Sequence, residues 1–144
     1  MRLTFYYVSD KDRFIFTGKE ADWAWKYIQS KTSVQKTSTL KGTPASLGKA
    51  VGKAFVAKSS STLKKFEKGG ILIAPATSAD FVPVMRKSAA IITEMGGITS
   101  HAGIISREFN VPCIVGVKNA TKILKTGDKI EVNADKGVIK KLNP

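Results

Sequence analysis

Apolar residues in this 144-residue chain fall into short blocks whose spacing changes along its length. Residues 2–8 and 13–17 are rich in Phe, Tyr, Ile, Val and Thr. The polar run Ser9-Asp10-Lys11-Asp12 separates them, which predicts a β-hairpin. After Gly18, residues Ala21, Ala24, Trp25 and Ile28 recur at helical spacing, so residues 19 to about 30 are expected to form a helix. Trp23 and Trp25 read as packing residues rather than a stacking platform. Residues 30–39, SKTSVQKTST, carry no apolar periodicity and read as a linker. The chain therefore divides into an appendage with its linker, 1–40, and a main domain, 41–144.

From Gly42 to Ala57, glycines alternate with small and apolar residues, the pattern of a tight loop running into a strand. Ser61 or Thr62 is expected to cap a short helix ending at Gly69-Gly70. Residues 70–74 and 89–93 are unbroken apolar runs, as in strands buried on both faces. Residues 78–87 are expected to be helical, with Phe81, Val84 and Met85 inward and Pro83 in the first turn. Residues 100–109 predict another helix, with Ile104 and Ile105 anchoring it in the core. A strand at 113–117 and a helical turn at 121–124 follow. Strands at 129–133 and 138–142 close the domain around a turn at Asp135-Lys136-Gly137. Buried strands alternating with helices make this an α/β domain with an antiparallel hairpin at its end.

Composition narrows the class. Hydrophobic residues at 42% and charged residues at 24% are those of a globular chain, which excludes a disordered tail or a collagen-like repeat. The length is that of one domain able to bury a core without disulfides. A single cysteine, Cys113, excludes a disulfide framework and a cysteine zinc site. It fits a reducing compartment. The start, MRLTFYYVSDKDR, lacks the apolar run of a signal peptide, and no stretch approaches the roughly 20 apolar residues of a membrane span. The expectation is a cytoplasmic protein with no membrane partner.

Charge adds a question. Twenty-four Lys and Arg against eleven Asp and Glu leave +13, which points to an anionic partner. Residues 31–68 hold nine lysines, one glutamate and no arginine. Lysines spaced singly, as at 49, 53 and 58, describe a solvated face. A nucleic-acid groove more often mixes arginine with exposed aromatics, so nucleic acid is not the expected partner.

The candidate chemistry lies in Glu94-Met95-Gly96-Gly97-Ile98-Thr99-Ser100-His101-Ala102-Gly103-Ile104-Ile105-Ser106-Arg107. A strand ends at about Thr93, two glycines permit a sharp turn, and Thr99 or Ser100 can cap the helix that follows. The only histidine of the chain then falls in the first helical turn. Backbone N–H groups there and the helix dipole favour a phosphate, and threonine and serine hydroxyls can donate to its oxygens. An imidazole that is neutral near pH 7 offers a nucleophilic nitrogen, and Ala102 and Gly103 leave room beside it. Composition alone also allows a surface or capping histidine. One His, one Cys and scattered carboxylates offer no metal-ligand set. Ser100 next to His101 is not a triad, because adjacent helical residues point apart. Gly96-Gly97 lacks the Gly-Lys-Ser/Thr of a P-loop.

This segment resembles the phosphohistidine ("mobile" or "swivelling") domain of the phosphoenolpyruvate-utilising enzymes. Phosphoenolpyruvate synthase and pyruvate phosphate dikinase are members, and enzyme I of the sugar phosphotransferase system is a relative. Their pattern, Gly-Gly-x-Thr-Ser/Cys-His-Ala-Ala, then an apolar helix and Ala-Arg, is met here from Gly96 to Arg107, with Gly103 and Ser106 in place of alanine. The likeness extends over about 100 residues. It takes in Ala45-Ser46-Leu47-Gly48, the turn Ala76-Thr77-Ser78-Ala79-Asp80 with Ala79 for proline, Asn110-Val111-Pro112, Asn119-Ala120-Thr121 and Asp135-Lys136-Gly137.

The resemblance implies a swivelling β/β/α three-layer domain behind a small hairpin-helix appendage. It also implies a phosphoryl carrier. His101 would be the nucleophile, and Gly96 and Gly97 would set the turn. Thr99 and Ser100 would bind phosphate oxygens or orient the ring. Arg107 would meet phosphate in a docked complex or pair with Glu94. Thr99 also matches a position that is a regulatory phosphorylation site in some relatives. An ATP-grasp domain would phosphorylate His101, and a TIM-barrel domain would interconvert phosphoenolpyruvate and pyruvate. Each needs more chain than this, so both would be separate domains or chains. ATP and Mg2+ would sit on the ATP-grasp partner, and this chain itself would bind no cofactor and no metal. By itself it would not complete a dikinase cycle. The alternative is a non-catalytic binding or regulatory module keeping the same fold.

Overall fold

The computed structural model describes residues 4–8, 13–17 and 39–142. Strands β1 (Thr4–Val8) and β2 (Arg13–Thr17) pair antiparallel, Thr4 opposite Thr17 and Val8 opposite Arg13, as the alternating blocks predict. The expected helix at 19–30 and all of the linker but Thr39 lie outside the described residues.

The main sheet has eight strands: β3 (Thr39–Lys41), β4 (Thr43–Ser46), β5 (Lys49–Val56), β6 (Ile71–Ala74), β7 (Ala90–Thr93), β8 (Cys113–Val115), β9 (Lys129–Asn133) and β10 (Val138–Leu142). Their order is β3-β10-β9-β5-β6-β7-β8-β4. The four central strands β5 to β8 run parallel and in sequence order, so their crossovers fall on one face. The other four add antiparallel.

β3 and β4 stand at opposite ends of this order, yet only Gly42 separates them in the chain. The sheet must therefore curl over on itself. Gly42 is where the backbone crosses from one edge to the other. A Cβ there would lie 2.6 Å from Val117, 2.7 Å from Ile114 and 2.7 Å from the Val115 carbonyl.

Two apolar layers result. Ile71, Ile73, Ala90, Ile92 and Ile114 face Ile130, Val132 and Ile139 from the returning half of the sheet. Leu72, Ala74, Ile91, Cys113 and Val115 point the other way, onto Phe81, Met85 and Ala102 of the helices. Adjacent residues of β6, β7 and β8 thus alternate between two buried faces, which is why these strands read as unbroken apolar runs. Each fully buried isoleucine contributes about 1.5–3 kcal/mol relative to exposure. The layers are sheet, sheet and helix, the β/β/α arrangement expected.

The helices are short: α1 (Val82–Lys87), α2 (His101–Glu108) and α3 (Ala120–Ile123). Pro83 occupies the first turn of α1, and Phe81 and Met85 are buried with Val84 packed beside them. Two expectations are corrected. Residues 60–65 form a 3-10 turn rather than a helix reaching Gly69-Gly70. Ser59, not Ser61 or Thr62, precedes it, and its carbonyl accepts from the Thr62 hydroxyl at 2.8 Å. No residue of that turn is buried, so no apolar face holds a longer helix in place. Ile104 is not a core anchor. It is 50% exposed, and α2 buries Ala102, Gly103 and Ser106 instead. Small residues on that face bring the helix backbone close to the sheet and turn Ile104 outward. Among the described residues no helix is long and apolar enough to cross a membrane.

Candidate functional site

The carboxyl ends of β6, β7 and β8 lie side by side, the place where open α/β sheets gather their ligands. The loop after β7 carries the segment singled out in the sequence. It first extends the sheet, with Glu94 N–H donating to the Ala74 carbonyl (3.2 Å) and Met95 N–H to the Pro75 carbonyl (2.9 Å). The Thr93 hydroxyl donates to the Met95 carbonyl at 3.0 Å. Gly96 then turns the chain at φ +96°, a conformation that favours glycine. A Cβ there would lie 2.7 Å from Ser100 Cβ, so both the angle and the space require glycine. Gly97 is different: a Cβ on it would meet nothing within 4 Å. The turn depends on Gly96.

Ser100 is the helix cap. Its Oγ donates to the Gly97 carbonyl at 2.6 Å and accepts from Gly103 N–H at 3.3 Å. Its hydroxyl is thereby engaged within the turn. His101 opens α2, half-buried, with Nδ1 2.8 Å from Thr77 Oγ1. The ring is therefore held by Thr77, from the loop after β6, and not by Thr99 or Ser100. Thr99 is exposed beside it. Sequence reasoning placed Thr77 in a matching turn but gave it no role, because 24 residues separate it from His101. Only the parallel pairing of β6 with β7 makes them neighbours.

Arg107 neither faces His101 nor pairs with Glu94. Its Nη1 donates to the Ala45 carbonyl at 2.8 Å and its Nη2 to the Ile98 carbonyl at 2.7 Å. It braces the loop against the β4 end. Gly103 makes room for the same carbonyl, since a Cβ there would lie 2.5 Å from Ile98 O. Glu94 instead accepts from Thr121 N–H (2.8 Å) and Thr121 Oγ (2.6 Å) through one oxygen, tying the base of the loop to the start of α3. Those two hydrogen bonds, the hydroxyl's first, hold the Glu94 carboxyl below the usual glutamate value. Lys122 and Lys58 add to the effect, while partial burial opposes it. Cys113, beneath α2, is a buried free thiol pushed up to about 11 by burial.

A mixed α/β sheet that turns back on itself and carries a braced histidine at a strand-loop-helix tip has the architecture of a swivelling domain. The description "PEP-utilising enzyme, mobile domain" matches residues 66–137, half of the chain, and the chain belongs to that family. It is 48% identical over 100 residues to the probable phosphoenolpyruvate synthase of Archaeoglobus fulgidus, covering 69% of this chain and 13% of that protein. It is 46% identical over 102 residues to the phosphoenolpyruvate synthase of Pyrococcus furiosus, covering 71% of this chain and 12% of that protein. The chain thus spans about an eighth of the length of these relatives. Among solved structures, aconitase X of Thermococcus kodakaraensis in its holo-form superposes with a TM-score of 0.59 at 24% identity, over 74% of this chain and 99% of that one. That likeness is one of fold.

Proposed function

We propose that this chain is a phosphoryl carrier in a phosphoenolpyruvate synthase-like or pyruvate phosphate dikinase-like phosphotransferase, and that His101 is its phosphate-bearing residue. The observation that carries the reading is the hydrogen bond between His101 Nδ1 and Thr77 Oγ1 at 2.8 Å. With Nδ1–H donating to Thr77, the lone pair resides on Nε2, the ring's other edge. That nitrogen attacks phosphorus of the donor phosphate. The P–N bond forms, the P–O bond to the leaving group breaks, and the leaving oxygen takes the electron pair. The ring keeps its Nδ1 proton on Thr77, which steadies the positive charge that develops. Transfer to the acceptor reverses the step.

The open first turn of α2 suits the incoming phosphate: amide N–H groups and the dipole favour its charge. In our reading the hydroxyl of Thr99, which is exposed, donates to a phosphate oxygen. A phosphate on Thr99 would set like charge beside His101 and stop the cycle, which is our reading of its regulatory role. Gly96, Ser100 and Arg107 support the site by shaping and bracing the loop, and Gly97 supplies a carbonyl to the cap. An ATP-grasp module holding ATP and Mg2+ and a TIM-barrel module holding phosphoenolpyruvate or pyruvate supply the two ends of the transfer. The setting we assign is the reducing cytoplasm, where a buried free thiol such as Cys113 persists.

The test combines the chain with ATP-grasp and barrel modules of a phosphoenolpyruvate synthase and labelled phosphoenolpyruvate. Acid-labile label on the wild-type chain and none on His101→Ala is the expected result. A wild-type chain left unlabelled by a partner set that labels its own carrier domain contradicts the proposal.

A further inference from the structure

The amino ends of the parallel strands, opposite the His101 loop, carry a cleft of their own. Helix α2 begins at His101 and runs eight residues to Glu108, so Phe109 stands roughly 12 Å along the helix axis from the histidine. There a cleft of about 150 Å³ opens between the end of α1, the start of β7 and the turn from α2 into β8. Arg86, Ser88, Phe109, Asn110, Val111 and Pro112 line it.

Arg86 carries the one charge among its lining residues. The guanidinium carbon lies 4.9 Å from the centroid of the Phe109 ring. That stacking fixes the planar cation and uses none of its N–H groups. Arg86 makes no ion pair or side-chain hydrogen bond among the described residues. The backbone donors around it are spent. Ser88 N–H goes to the Met85 carbonyl (3.3 Å), Phe109 N–H to Ile105 (3.0 Å), Asn110 N–H to Arg107 (3.2 Å) and Val111 N–H to Ser106 (2.9 Å). Pro112 has no N–H to give. The buried Ser88 hydroxyl donates to the Val84 carbonyl at 2.8 Å. The donors left to the cleft are therefore the Arg86 fork and the side-chain amide of Asn110, whose backbone turns at φ +55°.

One cationic fork, one neutral amide and apolar walls describe a ligand with a single anionic head and an apolar body. A carboxylate is planar and matches a guanidinium with two parallel hydrogen bonds. A phosphate ester brings a second charge and a third oxygen that this lining does not meet. Size sets the body: an apolar cavity of about 150 Å³ takes up a benzene ring. The cleft lined by Lys53, Lys65 and Lys68 differs, because it contains its own carboxylate in Glu67.

We propose that the cleft at Arg86 is a binding site for a small monocarboxylate, with its carboxylate held by Arg86 and Asn110 and its apolar body laid against Val111 and Pro112. The site is separate from His101 and does not depend on the carrier reading. Its occupant joins the end of α1 to the end of α2.

The experiment titrates the full nitrogen-labelled chain with benzoate, butanoate, benzamide and inorganic phosphate, followed by proton–nitrogen NMR. Benzoate and butanoate are expected to give saturable shifts at the Arg86 side chain, the Asn110 side-chain amide and the Val111 N–H, with the Thr99 and His101 signals unmoved. Benzamide, with the same body and no charge, is expected to bind at least about tenfold more weakly than benzoate. Arg86→Met keeps an apolar stem on Phe109 and is expected to weaken benzoate by about tenfold or more, and Arg86→Lys by less, because a point charge lacks the fork. Asn110→Asp tolerates the same backbone angle and adds like charge. It is expected to weaken benzoate at least about fivefold with the melting temperature held, and it keeps the test decisive if Arg86→Met loses the fold.

No saturable shift with either carboxylate overturns the proposal. So does an affinity for benzoate that Arg86→Lys and Asn110→Asp both leave unchanged. Benzamide binding as tightly as benzoate removes the role of the charge and overturns it too. Phosphate binding as tightly as benzoate at the same groups would show a general anion site and overturn the carboxylate assignment. Shifts confined to the loop around His101 would assign the binding to the site already described and contradict a second one.

Discussion

The hydroxyl of Thr77 lies 2.8 Å from Nδ1 of His101, and in the tautomer we propose Nδ1–H donates to it and leaves Nε2 free. Thr77→Val keeps the shape and removes the hydrogen bond. It is expected to slow phosphorylation of His101 about tenfold, while Thr77→Ser restores the rate. Nitrogen NMR of the ring checks the cause: the valine variant should lose the single-tautomer signature that the serine variant keeps. Gly96 and Gly97 provide a second residue-scale test. Gly96→Ala places a Cβ 2.7 Å from Ser100 at φ +96° and is expected to cost about 1–3 kcal/mol in thermal or urea unfolding. Gly97→Ala meets open space and is expected to stay within about 0.5 kcal/mol. The two glycines look equivalent in the sequence because a Gly-Gly pair does not say which member takes the positive φ. His101 itself was legible, as the only imidazole in a strand-turn-helix with a capping hydroxyl. Thr77 was not, because its contact is made between parallel strands.

At the scale of elements, the loop after β7 is braced at both ends, by Glu94 on Thr121 and by Arg107 on Ile98 and Ala45. The Glu94 carboxyl lies below its ordinary value of 4.5, because Thr121 bonds its charged form. In the unfolded chain it takes up a proton first. Its contribution to stability is thus complete above pH 4.5 and is lost as pH falls through the lower folded value. Glu94→Gln keeps an acceptor for Thr121 but does not titrate. Its acid unfolding curve is expected to be flatter than the wild type's in that window, as measured by circular dichroism. The parallel strands were legible because burial on both faces writes unbroken apolar runs. The 60–65 segment and Ile104 were not. A segment with no buried face carries no periodicity to read, and in α2 the fully buried positions are Ala102, Gly103 and Ser106, so Ile105 packs against the core as expected while Ile104 faces outward.

For the whole molecule, the curl of the sheet between β3 and β4 was hidden in the sequence, because it shows only in the strand order, which sets these two strands at opposite ends with Gly42 alone between them. The charge of +13 takes on a place as well. Part of it, at Lys58, Lys118 and Lys122, stands at the carboxyl ends of the parallel strands beside the loop that bears His101. A small domain with its histidine braced at one end of the parallel strands suits the transfer between larger modules that we propose. The most direct test is phosphorus and nitrogen NMR of the chain after phosphorylation by its partner modules. The account predicts one phosphoryl group bonded to Nε2 of His101, with Nδ1 still protonated against Thr77. A phosphoryl group on Nδ1, on a hydroxyl such as Thr99, or on no residue of a chain whose partners are active would contradict it.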